Sequence, residues 1–391
     1  MKIGLVCPYS MARGGGVQEI VLGMRNELCA RGHDVSIIAP RPKSEVNVNT
    51  DGIIFVGTAT DFRSPMGTTA ALSNADTDEL QIMMEREKFD VLHFHEPWQP
   101  FISRQLLNYS TSVNIATFHA KLPDSLMART VIRSVTPYTK PLLKYLHELT
   151  AVSEAASEYA SKMTTRNITI IPNAIRLADF PKTTRALTHD GKQTILFIGR
   201  LEKRKGVKYL LKAYAELTKK MHNVELIIAG DGTDREKLQE FAREQELRNV
   251  TFLGYVDDAT KKNLLAQADL FCAPAVFGES FGIVLLEAMS SGLVTVAGLN
   301  PGYEAVMKGV GKVSLIDPHK TQEFARRLEL LLTVPELRQL WQEWALEYVQ
   351  QFDYSAVIDQ YEQLYIDALK KHKGTVHPDV VKRKKSRAKS A

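Results

Sequence analysis

Two glutamates, Glu279 and Glu287, stand eight positions apart around a glycine-containing turn that opens into an apolar segment. We expect a helix to begin there, with the backbone N–H groups of Phe281, Gly282 and Ile283 free to donate to phosphate oxygens. At about 1.5 Å rise per residue, eight positions span roughly 12 Å, so the two carboxylates cannot act on one atom. A glycosidase acid–base pair needs roughly 5–9.5 Å. The spacing instead suits the two ends of a sugar nucleotide, with sugar hydroxyls at Glu279 and ribose hydroxyls at Glu287.

The same segment matches G-x-S-x-G, the nucleophile-elbow pattern of α/β-hydrolases, from Gly278 onward. That elbow needs its serine on a tight turn directly after a strand. Here the strand-like run Leu270–Ala273 meets Pro274, and several loop residues precede Ser280. His319 is the only histidine between Ser280 and the C-terminal tail. A hydrolase is therefore disfavoured, as is a plain helix start whose glutamate only forms a salt bridge.

A basic loop follows the strand-like run 194–198. Gly199 and Arg200 close this strand, and Lys205 follows in the loop 203–206. Ligands of parallel α/β sheets bind beyond the carboxyl ends of the strands, so we expect Arg200 to face a ligand. A guanidinium fork and a lysine point charge together suit a diphosphate. A solvated basic loop without a ligand is the alternative interpretation.

A second glycine-rich loop lies near the N-terminus. The first strand runs into Tyr9, and Gly14, Gly15 and Gly16 then precede a helix that begins near Gln18. Such an entry to a helix N-terminus favours phosphate. The pattern is not G-x-G-x-x-G, so a dinucleotide site loses its main support. A flexible loop that needs positive φ angles is the alternative.

Histidines end two neighbouring strand-like runs. His93 and His95 lie on the same face of a strand and, with the adjacent Glu96, could form a metal cluster, but no further protein ligand stands at a sensible spacing. We expect His95 to end its strand at a ligand site. His119 ends the next strand and is predicted to contact a sugar hydroxyl or a phosphate, with a plain core histidine as the alternative.

A D-x-D pair, Asp76 and Asp78, matches the motif with which many glycosyltransferases bind a divalent metal. It precedes Glu79 and an apolar-periodic segment. An N-cap with acids in the first helical turn explains it better than a metal does.

Length and charge limit the possible partners. The chain has 391 residues, 44% of them hydrophobic, enough for two domains with separate cores. Residues 370–391 hold nine basic residues and one acid, so of the net charge of +5 the rest of the chain carries −3. We therefore expect no nucleic-acid partner. The basic tail is predicted to be disordered, and either attraction to an anionic membrane or simple solubilisation explains it.

Cysteine usage and hydropathy indicate the compartment. Cys7, Cys29 and Cys272 are isolated in apolar segments, which is typical of core residues in a reducing compartment. The apolar run 3–7 is too short for a signal-peptide core, and no apolar run approaches 18 residues. We expect a cytoplasmic protein, with peripheral contact at the cytoplasmic face of the membrane as an option.

Strand-like runs alternate with amphipathic helical segments in both halves of the chain, the pattern of parallel βαβ units. A polar stretch over 176–192 is predicted to link the halves. We expect an N-terminal Rossmann-like domain over 1–180 and a C-terminal Rossmann-like domain over 190–352, with a ligand in the cleft between them. A helix over 354–371 and the basic tail over 372–391 follow.

Several motifs together resemble a known family. They lie at residues 3–10, 15–18, 95–97, 116–119, 199–200, 205–206, 256–261 and 278–284. Over nearly the whole chain they resemble the retaining glycosyltransferases of family four, and within it the bacterial phosphatidylinositol mannosyltransferases. The resemblance implies an α/β protein with the GT-B fold: two Rossmann-like domains facing a central cleft, and a C-terminal helix that crosses back to the first domain. It also implies that the N-terminal domain binds the acceptor and the C-terminal domain binds the nucleotide-sugar donor.

The resemblance also implies roles for the candidate site residues. Arg200 and Lys205 hold the donor diphosphate, Glu279 binds sugar hydroxyls and Glu287 binds the ribose. His119 lies near the transferred sugar. The other predicted donor contacts are Gly15, Gly16, Gly199, Ser280, Phe281, Gly282 and Ile283, and the predicted acceptor contacts are Tyr9, Gln18 and His95.

Two stretches depart from the mannosyltransferase pattern. In that group a helix of the first domain carries a basic, lipid-docking cluster, but the corresponding stretch here, 77–89, is acidic. Basic residues of another helical stretch could substitute: Arg129, Arg133, Lys140 and Lys144. The usual Pro-Asn-Gly-Val-Asp is replaced at 172–176 by Pro-Asn-Ala-Ile-Arg. Both departures concern the lipid acceptor more than the donor site.

We therefore expect a retaining glycosyltransferase that moves a hexose, preferably mannose from GDP-mannose, to a hydroxyl acceptor such as phosphatidylinositol or another glycolipid. We expect no tightly bound cofactor, and no residue seen requires a divalent metal. One alternative is a UDP-sugar-dependent enzyme of the same family, acting on a soluble or lipid acceptor. The others are an epimerase or hydrolase that needs no acceptor, and a non-catalytic protein that only binds sugar nucleotides.

Overall fold

The structure, a computed structural model, describes residues 1–12, 15–42, 50–63, 69–98, 102–121, 126–182, 191–375 and 380. The chain forms two compact units. The N-terminal unit comprises Met1–Ala174 and Tyr354–Ala391, and the C-terminal unit comprises Ile175–Asp353. Each unit is built on its own sheet, so each is described by itself.

The helices of the described residues alternate with strands along most of the chain. In chain order they are α1 (Gly16–Ala30), α2 (Thr77–Glu87), α3 (Ile102–Tyr109), α4 (Leu126–Thr139), α5 (Glu154–Ser161), α6 (Val207–Thr218), α7 (Arg235–Glu244), α8 (Asp258–Gln267), α9 (Ile283–Ser290), α10 (Pro301–Val306), α11 (Thr321–Thr333), α12 (Pro335–Tyr348) and α13 (Tyr354–His372). Asp76 caps α2 by accepting from the backbone N–H groups of Asp78 and Glu79, which confirms the N-cap interpretation.

In the described part of the N-terminal unit, eight strands form one sheet in the order β4-β3-β2-β1-β5-β6-β7-β8. They are β1 (Lys2–Val6), β2 (Asp34–Arg41), β3 (Ile53–Arg63), β4 (Thr69–Asn74), β5 (Val91–His95), β6 (Val113–Phe118), β7 (Glu148–Ala151) and β8 (Thr169–Ile170). All neighbours pair in parallel except β3 and β4. The sequence predicted the parallel strands from their mostly apolar runs. It missed β4, an edge strand of Thr-Ala-Ala-Leu-Ser-Asn that lacks such a run.

Helix α13 belongs to the N-terminal unit, in agreement with the prediction that the last helix crosses back to the first domain. The ring of Tyr354 lies against Gly23 of α1, where any Cβ atom would clash with it. Arg31, just after α1, donates to Asp359 at 2.6 Å and to Glu362 at 3.0 Å. Within the described residues, no helix combines the length and the apolar character needed to cross a membrane.

Over the described residues of the C-terminal unit, six parallel strands are ordered β11-β10-β9-β12-β13-β14. They are β9 (Gln193–Ile198), β10 (Val224–Ala229), β11 (Val250–Gly254), β12 (Leu270–Ala273), β13 (Thr295–Gly298) and β14 (Leu315–Ile316). The strand order reverses between β9 and β12, which pair with each other. Loops at the carboxyl ends of two such strands form the usual ligand crevice of an open α/β sheet.

Candidate active site

Glu279 lies in the loop after β12, where two cations hold its carboxylate. Arg204 donates to Glu279 Oε1 over 2.7 Å, and Lys205 Nζ lies 2.9 Å from the same oxygen. Both cations follow β9, the strand beside β12, so the sheet brings the two loops together. Glu279 is 8% exposed, which makes this a mostly buried cluster of two positive charges and one negative charge.

Arg204 links this cluster to Arg200. Its Nε donates to Glu202 over 3.0 Å, and Glu202 in turn lies 3.0 Å from Arg200 Nη1. The side chain of Arg200 is about half exposed, at 55%. Arg200 is predicted to bind the same ligand as Lys205. In the structure the two residues are connected by ion pairs through Glu202, Arg204 and Glu279. The sequence places Arg204 in a basic loop but does not distinguish it there, because a loop sequence does not show which of several cations contacts the glutamate.

Gly206 explains why the basic loop lies against β12. It has a φ of 74°, in the left-handed region, and any Cβ atom there would clash with the carbonyl oxygen of Pro274. The N–H group of Val276 also donates to the carbonyl of Arg204 over 2.9 Å. A side chain at 206 would therefore push Lys205 away from Glu279.

The start of α9 corrects two predictions. The helix begins at Ile283, and Gly282 is its N-cap with a φ of 110°, so 279–282 is not helical and the 12 Å estimate does not apply. Of the three predicted phosphate donors, Phe281 and Gly282 precede the helix and only Ile283 is in its first turn. Phe281 packs its buried ring edge-on against Phe352, with centroids 5.9 Å apart, and Ser280 lies in the bend before it.

Glu287, on α9, pairs with a lysine of α8. Lys261 Nζ lies 2.8 Å from Glu287 Oε1 and 3.0 Å from Asp258. Burial lowers the pKa of Lys261, but its contacts with Glu287 and Asp258 together outweigh burial and the net pKa is raised, so the lysine stays charged. Lys261 was part of the motif at 256–261 but was not selected, since helical spacing alone does not show that α8 faces α9.

His95 and His119 meet at the carboxyl ends of β5 and β6. These strands are neighbours, and His95 Nδ1 lies 2.8 Å from His119 Nε2, with the rings stacked at 5.1 Å. Both side chains are buried. Burial lowers the pKa of His119 to about 4 against the opposing effect of Asn173, and it lowers the pKa of His95 well below its usual value. Both imidazoles are therefore neutral near pH 7.

Glu96 holds the backbone of His119 in place. Its carboxylate accepts from the N–H group of His119 and, over 2.6 Å, from that of Ala120. Glu96 itself has a φ of 51°, an uncommon conformation for a residue with a side chain. Burial raises the pKa of Glu96 to about 7, although both backbone hydrogen bonds oppose the shift. The sequence suggested Glu96 as a metal ligand and as part of the motif at 95–97, but not its hydrogen bonds to the backbone after β6.

The remaining predicted contacts follow β1 or β9 or lie at the start of α1. Tyr9 follows β1, the neighbour of β5, and Gln18 of α1 donates to the carbonyl of Ser10 over 3.4 Å. Gly15 is the extended N-cap of α1, and Gly16 is its first residue. Gly199 follows β9, and its N–H group donates to Ala229 over 3.0 Å. Gly14 lies outside the described residues, and these ligand contacts stay predictions.

Two further predictions concern a metal-ion site and the basic residues that would contact a membrane. The rings of His93 and His95 lie side by side, 4.3 Å apart, but the described residues include no group of three or more His, Cys, Asp or Glu side chains that could hold a metal ion. Arg133, Lys140 and Lys144 are exposed. The side chain of Arg129 and nearly all of the basic tail lie outside what the structure describes.

Comparison with solved structures identifies the architecture. The chain matches sucrose-phosphate synthase from Thermosynechococcus elongatus with a TM-score of 0.74, over 94% of this chain and 98% of that one, at 18% identity. It matches the Anabaena protein HepE, in complex with UDP and glucose, with a TM-score of 0.71, over 93% of this chain and 99% of that one, at 17% identity. The two α/β units thus have the GT-B fold of glycosyltransferases.

Sequence comparison places the chain within that class. Residues 14–179 match the family described as Glycosyltransferase Family 4, and residues 179–347 match Glycosyl transferases group 1. The chain is 33% identical over 370 residues to a phosphatidyl-myo-inositol mannosyltransferase of Mycolicibacterium smegmatis, covering 93% of each protein. The chain therefore belongs to glycosyltransferase family four, and it is a hexosyltransferase.

Proposed function

We propose that the enzyme transfers mannose from GDP-mannose, with retention of configuration, to a hydroxyl group of phosphatidylinositol or a related glycolipid. The name of the Mycolicibacterium relative states both mannose and phosphatidylinositol, and that relative aligns over nearly the whole chain. The observation that carries the proposal is the cluster of Arg204, Lys205 and Glu279, because it places cations suited to a diphosphate beside a carboxylate suited to sugar hydroxyls.

In this proposal the C-terminal unit binds the donor. Lys205 and Arg200 neutralise the diphosphate, Glu279 accepts hydrogen bonds from mannose hydroxyls, and Glu287 accepts them from the ribose. The Lys261 contact keeps the Glu287 carboxylate in position for that role. No tightly bound cofactor or metal takes part.

Transfer proceeds on one face of the sugar. The bond from mannose C1 to the diphosphate oxygen breaks while the acceptor oxygen bonds to C1 on the same side. The acceptor proton moves to the leaving diphosphate oxygen, and GDP departs. Lys205 and Arg200 stabilise the charge that develops on the diphosphate. His119, neutral and buried, hydrogen-bonds the transferred sugar without adding a positive charge beside the cationic transition state at C1.

A UDP-sugar donor is the second candidate, because the structurally similar Anabaena HepE protein contains UDP and glucose. Guanine and uracil are distinguished by loop contacts that leave no clear residue code. A UDP-sugar enzyme would keep the same roles for Lys205, Glu279 and Glu287.

The first test is thermal unfolding of the purified protein with GDP, UDP or ADP, each at the same millimolar concentration. A nucleotide at about 100 times its Kd stabilises the protein by roughly 2.7 kcal/mol. We expect the largest shift with GDP. A larger shift with UDP or ADP would move the donor to glucose-type sugars, and no shift with any of them would contradict the diphosphate site.

The acceptor is tested with GDP-mannose and three candidates: vesicles containing phosphatidylinositol, vesicles containing phosphatidylglycerol, and free myo-inositol. We expect a mannosylated product only with phosphatidylinositol. Product with free inositol would show that the enzyme needs no lipid. Cosedimentation with the two kinds of vesicle separates recognition of the inositol group from general attraction to an anionic membrane.

A further inference from the structure

A buried hydrogen-bond network lies beside His95 in the N-terminal unit. It joins His93 of β5, Thr117 of β6 and Thr150 of β7 to two tyrosines of α13, Tyr361 and Tyr365. Every one of these side chains is at most 3% exposed. None of them is a predicted ligand contact, so the network has no role in the function proposed so far.

The direction of each hydrogen bond follows from the number of protons available. Thr150 Oγ1 donates to the carbonyl of Ala116 over 3.0 Å. A hydroxyl has one proton, so Thr150 must accept from Thr117 across their 2.6 Å contact. Thr117 has then used its own proton, and it must accept from His93 Nε2 at 2.6 Å.

This order assigns the tautomer of His93. With the proton on Nε2, the neutral ring offers Nδ1 as an acceptor, and the hydroxyl of Tyr365 donates to it over 2.7 Å. Burial lowers the pKa of His93 to about 3, which agrees with a neutral ring. Tyr361 donates to the remaining lone pair of Thr117 over a longer 3.3 Å. The protons of His93, Thr117, Thr150 and Tyr365 in the network thus each have an assigned acceptor.

His93 is also in contact with the candidate active site. Its ring lies 4.3 Å from that of His95, and His95 Nδ1 lies 2.8 Å from His119 Nε2. The buried Nε2 of His95 has no hydrogen-bond partner in the described part of the chain. The orientation of His95 therefore depends on its hydrogen bond to His119 and on packing against His93.

We propose that Tyr365 of α13 is a positioning residue for His119, acting through the tautomer and orientation of His93 and the packing of His93 against His95. The C-terminal helix then contributes to catalysis as well as to the core. This inference rests on the proposed function only for the statement that His119 contacts the sugar. The hydrogen-bond order itself does not depend on what the enzyme transfers.

The test compares Tyr365→Phe with Tyr361→Phe, which removes the longer hydrogen bond and leaves both nitrogens of His93 paired. We expect Tyr365→Phe to lower kcat about tenfold, the size of effect that one lost buried hydrogen bond supports, with the KM for GDP-mannose within about twofold of wild type. Tyr361→Phe should stay within about twofold in both parameters. In ¹⁵N-histidine NMR spectra, His93 should show a protonated Nε2 in wild type, and the His119 signals should shift in Tyr365→Phe only.

A folded Tyr365→Phe variant with wild-type kcat and unshifted His119 signals would overturn the inference, even if its thermal stability fell. If Tyr365→Phe does not fold, the second variant is Thr117→Val, which removes the acceptor at the other nitrogen of His93. It should lower kcat by a similar factor. A normal kcat in Thr117→Val would also overturn the inference. Failure of wild type to transfer mannose would contradict the proposed function, while the NMR comparison would still decide the role of Tyr365.

Discussion

The two units hold their candidate site residues by opposite electrostatic means. In the C-terminal unit, charges of both signs pair at short range, as Lys205 does with Glu279 and Lys261 with Glu287. In the N-terminal unit, His95 and His119 are neutral, buried and fixed by hydrogen bonds. The difference matches what each unit must bind in our proposal, a charged diphosphate in one case and uncharged hydroxyls in the other.

The contrast also has a cost in each unit. The buried ion pairs require good geometry, since removal of one partner leaves a buried charge uncompensated. The buried histidines must stay neutral, which links the stability of the N-terminal unit to pH. Variants that affect one unit and spare the other therefore test the contrast.

The largest effect is expected for Lys205→Ala. Loss of one charge that stabilises the leaving diphosphate should lower kcat/KM by roughly 10²–10³-fold. Steady-state kinetics with GDP-mannose measures this, and circular dichroism checks that the variant is folded. Lys203→Ala is the matched control, an exposed lysine in the same loop, and should retain near-wild-type activity. Equal activity in both variants would show that Lys205 does not contact the diphosphate.

The next effect is a pH dependence of stability that Glu96→Gln should remove. The pKa of Glu96 is about 7 in the folded protein, above the ordinary value of 4.5, so the protonated form is favoured by folding. Its contribution is complete below pH 4.5 and is lost as pH rises through 7. In urea unfolding, the free energy of unfolding of the variant should therefore rise relative to that of wild type by roughly 3 kcal/mol between pH 5 and 9. Parallel pH profiles would contradict the raised pKa.

A smaller effect is expected for His119→Ala, which should lower kcat by about 10–100-fold through the loss of a hydrogen bond to the transferred sugar. Stabilisation by GDP should be unchanged, because GDP lacks that sugar. The measurement pairs transfer kinetics with thermal unfolding in GDP. An equal loss of GDP binding would place His119 at the nucleotide and so break the proposed division between the units.

The smallest effect is expected for Lys261→Ala. The variant leaves Glu287 without its partner, which should raise the KM for GDP-mannose about tenfold with little change in kcat, the behaviour of a binding contact remote from the reaction. Lys262→Ala is the control, since Lys262 pairs with Asp258 and Asp179 and not with Glu287. A fall in kcat alone would contradict the assignment of Glu287 to the ribose.

The fold was predictable from the sequence because several buried parallel strands contain continuous apolar runs, as in β1, β9 and β12. Family motifs also indicated Glu279, Glu287, Lys205 and His119. The sequence did not reveal the partners that hold them, because pairing depends on loop geometry. Arg204 and Lys261 are two of many exposed-looking cations in sequence, and only the structure sets them beside the glutamates.

The helix start at Ile283 shows the same limit on a smaller scale. The apolar periodicity predicts α9 but does not place its first residue, and Gly282 at a φ of 110° cannot belong to a right-handed helix. Likewise, Glu96 follows a strand with a positive φ angle, which a glutamate in the sequence does not predict. Both deviations lie at the candidate site, and functional sites are where predictions from local sequence are expected to fail.

The anomeric configuration of the product tests the central claim most directly. Wild-type enzyme, GDP-mannose labelled with ¹³C at C1 and phosphatidylinositol vesicles are incubated together, and the one-bond C1–H1 coupling of the product is read by NMR. We predict an α-mannoside, the configuration of the donor, formed at a rate that Lys205→Ala lowers strongly. A β-mannoside would contradict one-face transfer, since it requires the acceptor to attack from the side opposite the diphosphate.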